Sequence, residues 1–111
     1  MLTTAPDAER ISRVFGALSD PIRRAMLSQL ARGEATVGEL SAPHAVSAPA
    51  ISRHVRVLEA AGLITKGRTG TRRPCRLDVE GLRAADAWMA PFREFFEDRF
   101  DRLAAQLEEE R

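Results

Sequence analysis

Two helix-capping signals, at Thr36 and Ser47, constrain this chain more than any other feature. Thr36-Val37-Gly38-Glu39 has the form of a capping box: the Thr36 hydroxyl can accept the Glu39 amide while the Glu39 carboxylate returns to the Thr36 amide. Ser47 opens a second helix with Pro49 in its first turn, and Gly62 supplies the left-handed residue that commonly stops one. Pro43 ends the first helix, because the residue before a proline disfavours the helical region. Two helices must therefore meet at a short turn within residues 36–61. Leu40 and Val37 are the core residues expected of the first, and Ile51, Val55 and Leu58 form the apolar stripe of the second. At about 100° per residue, Arg53 and Arg56 fall opposite that stripe and Ser52 on its flank.

Past Gly62 the chain adds cations to that outward face. Leu63-Ile64-Thr65-Lys66 and Arg73 to Leu77 are short β-like runs bracketing Gly67-Arg68-Thr69-Gly70-Thr71-Arg72, where two glycines among basic residues predict a hairpin tip over residues 63–78. The formal net charge of +1 conceals this segregation. Residues 47–78 hold seven Lys or Arg against two acids, a net of +5, whereas residues 79–111 hold five Arg against nine acids, a net of −4. A charge run is usually a solvated face; here it coincides with an outward helix face and a hairpin tip.

The flanking sequence predicts three more helices. Asp7 is a candidate cap for a helix over residues 7–18, with Ile11, Val14, Phe15 and Leu18 on one face. Asp20-Pro21 resets the chain for a second helix that turns Ile22, Met26, Leu27 and Leu30 inward and ends near Gly33. Asp78 caps a final helix over residues 79–107, along which apolar residues recur every three or four positions and Pro91 should produce a bend. The expected order is α-α-α-α-β-β-α in a single mostly α (α+β) domain spanning residues 1–111, a length that buries about two thirds of its unfolded surface.

Other classes fit poorly. No run of about eighteen apolar residues is present, and Met1–Thr4 leads straight into polar helical sequence, so the expectation is a soluble, cytoplasmic protein without a membrane partner. Cys75, the single cysteine, rules out an intramolecular disulfide and any multi-thiolate metal site within one chain. An enzyme needs a nucleophile paired with a base, or a metal, and the sequence offers neither; no cofactor is expected. Of the two histidines, His44 sits in the turn beside Pro43, and His54 lies at the edge of the apolar stripe, where packing and ligand contact are both open readings.

Two helices joined by a short turn, the second with outward cations, suit a helix laid in the major groove of double-stranded DNA. Arg offers a bidentate fork to guanine, Ser a hydroxyl, and a helix N-terminus its free amides. Ser47, Ala48, Ser52, Arg53, His54 and Arg56 form the expected docking surface, and Arg68, Thr69, Thr71, Arg72 and Arg73 hold phosphates from the hairpin, which positions the protein without reading sequence. The expected module is a winged helix-turn-helix.

Several motifs carry a resemblance. Ala17-Leu18-Ser19-Asp20-Pro21-Ile22-Arg23-Arg24, Thr36 to Leu40, Val46 to Leu58, Ala61-Gly62-Leu63-Ile64 and Gly70-Thr71-Arg72-Arg73 together resemble the ArsR/SmtB family, over about residues 14–78. The resemblance implies a homodimeric repressor of its own or adjacent genes on a partly palindromic operator. It also implies a recognition helix over Ser47–Ala60, and it aligns Ser52-Arg53-His54 with residues that contact DNA in relatives, moving His54 toward a DNA role. The first and last helices would form the dimer interface, through Phe15, Trp88, Phe92, Phe95, Phe96 and Phe100; so much aromatic surface on a small chain independently favours a partner.

The chain departs from the family in its sensing residues. Classical members release DNA on binding metal through cysteines of the third helix or through Asp, His and Glu of the last. Here the third helix has no thiol and the last no histidine, so neither metal site carries over. Cys75 stands where relatives usually have an aromatic residue; it is either a small buried hydrophobe or a redox switch whose thiol pKa Arg72, Arg73 and Arg76 would lower. A protein-interaction module that has lost DNA binding is the remaining alternative, and retention of Arg53, Arg56, Arg68, Arg72 and Arg73 argues against it.

Overall fold

The computed structural model describes residues 5–67 and 73–109. Among them the elements run α1 (Ala5–Leu18), α2 (Pro21–Leu30), β1 (Ala35–Thr36), α3 (Val37–Ser41), α4 (Ala48–Ala60), β2 (Ile64–Lys66), β3 (Pro74–Leu77) and α5 (Val79–Glu109). The strands form one antiparallel sheet in the order β1-β3-β2.

Strand β1 is the addition to the expected order. Two residues show no alternation in a sequence; the strand exists because a helix cap is itself extended. Thr36, with φ −74° and ψ 163°, caps α3 and at the same time pairs with Pro74, beside Ala35 with Cys75. The first helix also starts earlier than expected, at Ala5, so Asp7 lies within α1 rather than capping it. Pro6 stands in the first turn there, as Pro21 and Pro49 do in α2 and α4, where a missing N–H has no cost. Pro91 lies inside the continuous α5.

The other caps close as the residue types dictate. Asp20 Oδ1 accepts the amides of Ile22 and Arg23 at 2.8 and 3.2 Å. Burial alone would raise the Asp20 pKa; the hydrogen bonds from the Arg23 and Ile22 amides, with smaller electrostatic contributions from His54 in its charged form and from Arg23, outweigh it and hold the carboxyl below its ordinary range. The α3 capping box is complete, Thr36 Oγ1 accepting from Glu39 N at 3.1 Å and Glu39 Oε1 from Thr36 N at 3.0 Å. Asp78 Oδ1 accepts from Glu80 N at 3.0 Å at the start of α5.

The core gathers Val14 and Ala17 from α1, Met26, Leu27 and Leu30 from α2, Leu40 from α3, and Ile51, Val55 and Leu58 from α4, floored by Ile64 and Cys75 of the sheet. No polar side chain is buried among the described residues. The core is therefore held by apolar burial, and helix ends are satisfied at its margin.

Helix α4 stops in a Schellman arrangement. Gly62 takes φ +73°, its amide donates to Glu59 O at 3.0 Å, and the Leu63 amide donates to Leu58 O at 3.0 Å. The Gly62 carbonyl then receives the amide of Gly81, from the first turn of α5, at 3.0 Å. A Cβ on residue 81 would lie 2.6 Å from that carbonyl oxygen, so the contact requires glycine. Gly81→Ala should lower the unfolding free energy by about 1–3 kcal/mol, the usual cost of a forced backbone shift. Urea denaturation checks this, and a variant as stable as its parent would show that α5 is not held against Gly62.

Candidate nucleic-acid interface

Helix α4 divides cleanly into two faces. Ile51, Val55 and Leu58 are at most 1% exposed, while Ser52, Arg53 and Arg56 are exposed on the other side. Ser47, Ala48 and Pro49 are exposed at its N-terminus, where Ser47 Oγ accepts the Ala50 amide at 3.3 Å. The expected helix-turn-helix surface is thus brought together on one face, with α3 packed against the helix from behind.

His54 stands apart from that group. It is half-buried on the flank of α4, and its Nδ1 lies 3.1 Å from Arg23 Nη1. Arg23 also donates from Nε to Ala17 O at 2.7 Å and from Nη2 to Gly16 O at 3.1 Å, tying α4 to the corner between α1 and α2. Sequence reasoning missed Arg23: its partner lies 31 positions away, and no local pattern announces such a contact.

The wing is built on β2 and β3. Lys66 and Arg73 are exposed at its outer end, and Gly67 N donates to Pro74 O at 2.8 Å as the strands part. Arg68, Thr69, Thr71 and Arg72 lie outside the described residues. Arg76 is exposed, but its Nε contacts Glu34 Oε2 at 2.7 Å, so its charge is engaged next to the sheet. An exposed pair of this kind adds little stability.

Cys75 bears on the two readings that the sequence leaves open. The thiol is fully buried in the central strand, between Ala35 and Lys66 in register, and burial raises its pKa; Lys66 pulls it down and Glu59 pushes it further up. Burial accords with the reading of Cys75 as a small hydrophobe; the redox reading calls for a lowered pKa, and desolvation raises it.

The aromatics expected at a dimer interface lie along α1 and α5. Phe15 meets Trp88 edge-to-face at 5.6 Å, Trp88 is 4.9 Å from Phe92, Phe95 meets Phe96 at 5.8 Å, and the Arg99 guanidinium sits 5.0 Å over the Phe95 ring. From Trp88 to Phe100 the aromatic side chains of α5 are 48–67% exposed, whereas Gly81 and Ala85 near its start are buried. Among the described residues no three His, Cys, Asp or Glu side chains gather as a metal-ion site, and no helix is long and apolar enough to cross a membrane.

A helix-turn-helix with an outward Arg/Ser face, followed by a basic two-stranded wing, defines the winged-helix class of DNA-binding domain. Known proteins agree. A family profile described as bacterial regulatory protein, arsR family, matches residues 20–66. The HTH-type transcriptional regulator Rv2034 of Mycobacterium tuberculosis is 46% identical over 72 residues, covering 65% of this chain and 67% of that protein. Transcriptional repressor SdpR of Bacillus subtilis is 34% identical over 82 residues, covering 74% and 91%. The crystal structure of the ArsR family transcriptional regulator RHA00566 matches with a TM-score of 0.75 at 38% identity, covering 86% of this chain and 97% of that one. The homodimeric winged helix-turn-helix domain Mb0332 of Mycobacterium bovis shares the fold, with a TM-score of 0.61 at 21% identity over 90% of this chain and 93% of its own. This chain belongs to the ArsR family of DNA-binding transcription regulators, and it is not an enzyme.

Burial of Cys75 makes a direct chemical prediction. The native protein at neutral pH should react only slowly with a chromogenic disulfide reagent, and at once in denaturant. Rapid stoichiometric labelling of the folded protein would restore the redox-switch reading.

Proposed function

We propose that this chain acts as a homodimeric repressor, reading its operator with the exposed face of α4 and holding the DNA backbone with the wing. The observation that carries this reading is the division of α4: a fully buried aliphatic stripe fixes the helix while Ser52, Arg53 and Arg56 face solvent together. Arg53 and Arg56 have the chemistry to read guanine in the major groove. The exposed Lys66 and Arg73, with Arg68 and Arg72 between them in sequence, supply cations for phosphate. His54 is the flank residue of the same surface.

A second copy is supported by α5. On a helical wheel the exposed Phe92, Phe96, Phe100, Leu103 and Leu107 continue the face that buries Gly81 and Ala85 against the body. Beyond Ala90 that face has no buried residue, so a long apolar strip is left uncovered by its own chain. The Mycobacterium bovis domain of the same fold is homodimeric. A twofold dimer would place two α4 helices against the two half-sites of a partly palindromic operator, because the symmetry of the reader is mirrored in the sequence it reads.

The signal that releases DNA is not the classical metal. Helix α3 carries no thiol and α5 no histidine, and first-row transition metals need such ligands for tight sites. Cys75 serves the core.

Titration of a labelled fragment of the gene's own upstream region at two salt concentrations should show steep weakening with salt, the mark of counterion release. Arg53→Ala or Arg56→Ala should cost about 1–3 kcal/mol on that operator and little on random duplex, whereas Arg72→Ala should weaken both alike. Equal losses on the two duplexes for the helix variants would contradict base reading. Phe95→Glu should give helical monomers in sedimentation that bind a single half-site weakly; a variant that still sediments as a dimer would exclude Phe95 from the interface.

A further inference from the structure

We propose that Arg23 is a positioning residue for DNA recognition: its guanidinium holds the His54 ring in one tautomer, leaving Nε2–H as the hydrogen-bond donor that His54 offers to DNA. The proposal rests on the reading of α4, His54 included, as the docking surface.

The donor inventory decides the direction of the contact. An arginine side chain carries five N–H donors, no acceptor, and a charge it does not lose. The 3.1 Å approach of Arg23 Nη1 to His54 Nδ1 can therefore be a hydrogen bond only if Nδ1 accepts. An imidazole accepting at Nδ1 is neutral and carries its proton on Nε2. The free end of the ring is then a donor and not an acceptor, complementary to a phosphate oxygen or to guanine O6 and N7.

Arg23 is itself held still enough to impose this choice. Its Nε and Nη2 donate to Ala17 O and Gly16 O at 2.7 and 3.1 Å, carbonyls of the last turn of α1, the second of which also accepts from Ser19 Oγ at 2.6 Å. Its own amide is fixed by the Asp20 carboxylate at 3.2 Å. A planar guanidinium anchored on two backbone acceptors presents its remaining edge to His54 with little freedom left to lose. With its three contacts made inside the protein and its side chain half-buried, Arg23 is engaged away from phosphate and acts on DNA through His54.

The tautomer can be read without DNA from imidazole ¹⁵N shifts of the full chain. The wild type should show the Nε2–H form, and Arg23→Met a mixture of both forms. A wild-type ring protonated at Nδ1 overturns the proposal, and that measurement stands even if Arg23→Met is too unstable to study. The second arm uses a duplex selected from a random library by the wild-type protein. Arg23→Met should bind it about two- to threefold more weakly, the reciprocal of the competent fraction left in a mixture of tautomers, with an unchanged salt dependence because neither Arg23 nor a neutral His54 displaces a counterion. Arg23→Lys, which can still donate to Nδ1, should recover part of the loss. In a His54→Ala background, Arg23→Met should make no further difference; an equal loss there would mean that Arg23 acts by another route and would overturn the proposal. If His54→Ala binds as tightly as the wild type while the tautomer still follows Arg23, the pairing stands and the placement of His54 on DNA fails.

Discussion

One peptide group, the carbonyl of Gly62, joins the two working parts of this molecule. Helix α4 ends at Gly62 because the chain turns there at φ +73°, and the same residue's carbonyl accepts the Gly81 amide in the first turn of α5. The adjoining Asp78 amide donates to Leu63 O at 2.9 Å, so the start of α5 is bound to the exit of α4 at two points. Neither contact survives a wider separation. The backbones approach so closely that residue 81 has no room for a Cβ, which makes glycine a requirement of geometry rather than of flexibility.

The opposite flank of α4 is held by a different kind of chemistry. There Arg23 spans from the α1 carbonyls to His54, so a charged fork does at the surface what the Gly62 carbonyl does near the core. Between these two ties Ile51, Val55 and Leu58 bury the inner face, so rolling the helix would expose its apolar stripe. Fixing the helix in this way suits the proposed reading of base edges, in which Arg53 and Arg56 gain specificity only if their Cα positions are set in advance.

Most of this architecture is legible in the sequence because it depends on local chemistry. Thr36 with Glu39, Ser47 with Pro49, Asp20 with Pro21, and Asp78 each announce a helix start, and all four close as caps. What stays hidden is whatever depends on distant partners. Strand β1 is two residues long and exists through its register with β3; Arg23 finds His54 across 31 positions. Cys75 is instructive because its neighbours in sequence mislead. Arginines beside it in the chain suggest a lowered pKa, but alternation along β3 sends Arg76 outward to Glu34 and Cys75 inward to the core, where desolvation governs.

In the proposed dimer these ties have a consequence for regulation. Because α4 is fixed to α1 through Arg23 and to α5 through Gly62, the distance between two recognition helices is set by how α1 and α5 pack against their counterparts. An operator with fixed half-site spacing is sensitive to that distance. An effector changes affinity only by its differential interaction with two arrangements of the dimer. In that dimer the α1–α5 seam, where Phe15 and Trp88 meet beside an open apolar groove lined also by Ala8, Ile11 and Ser12, is where such a difference would have to act.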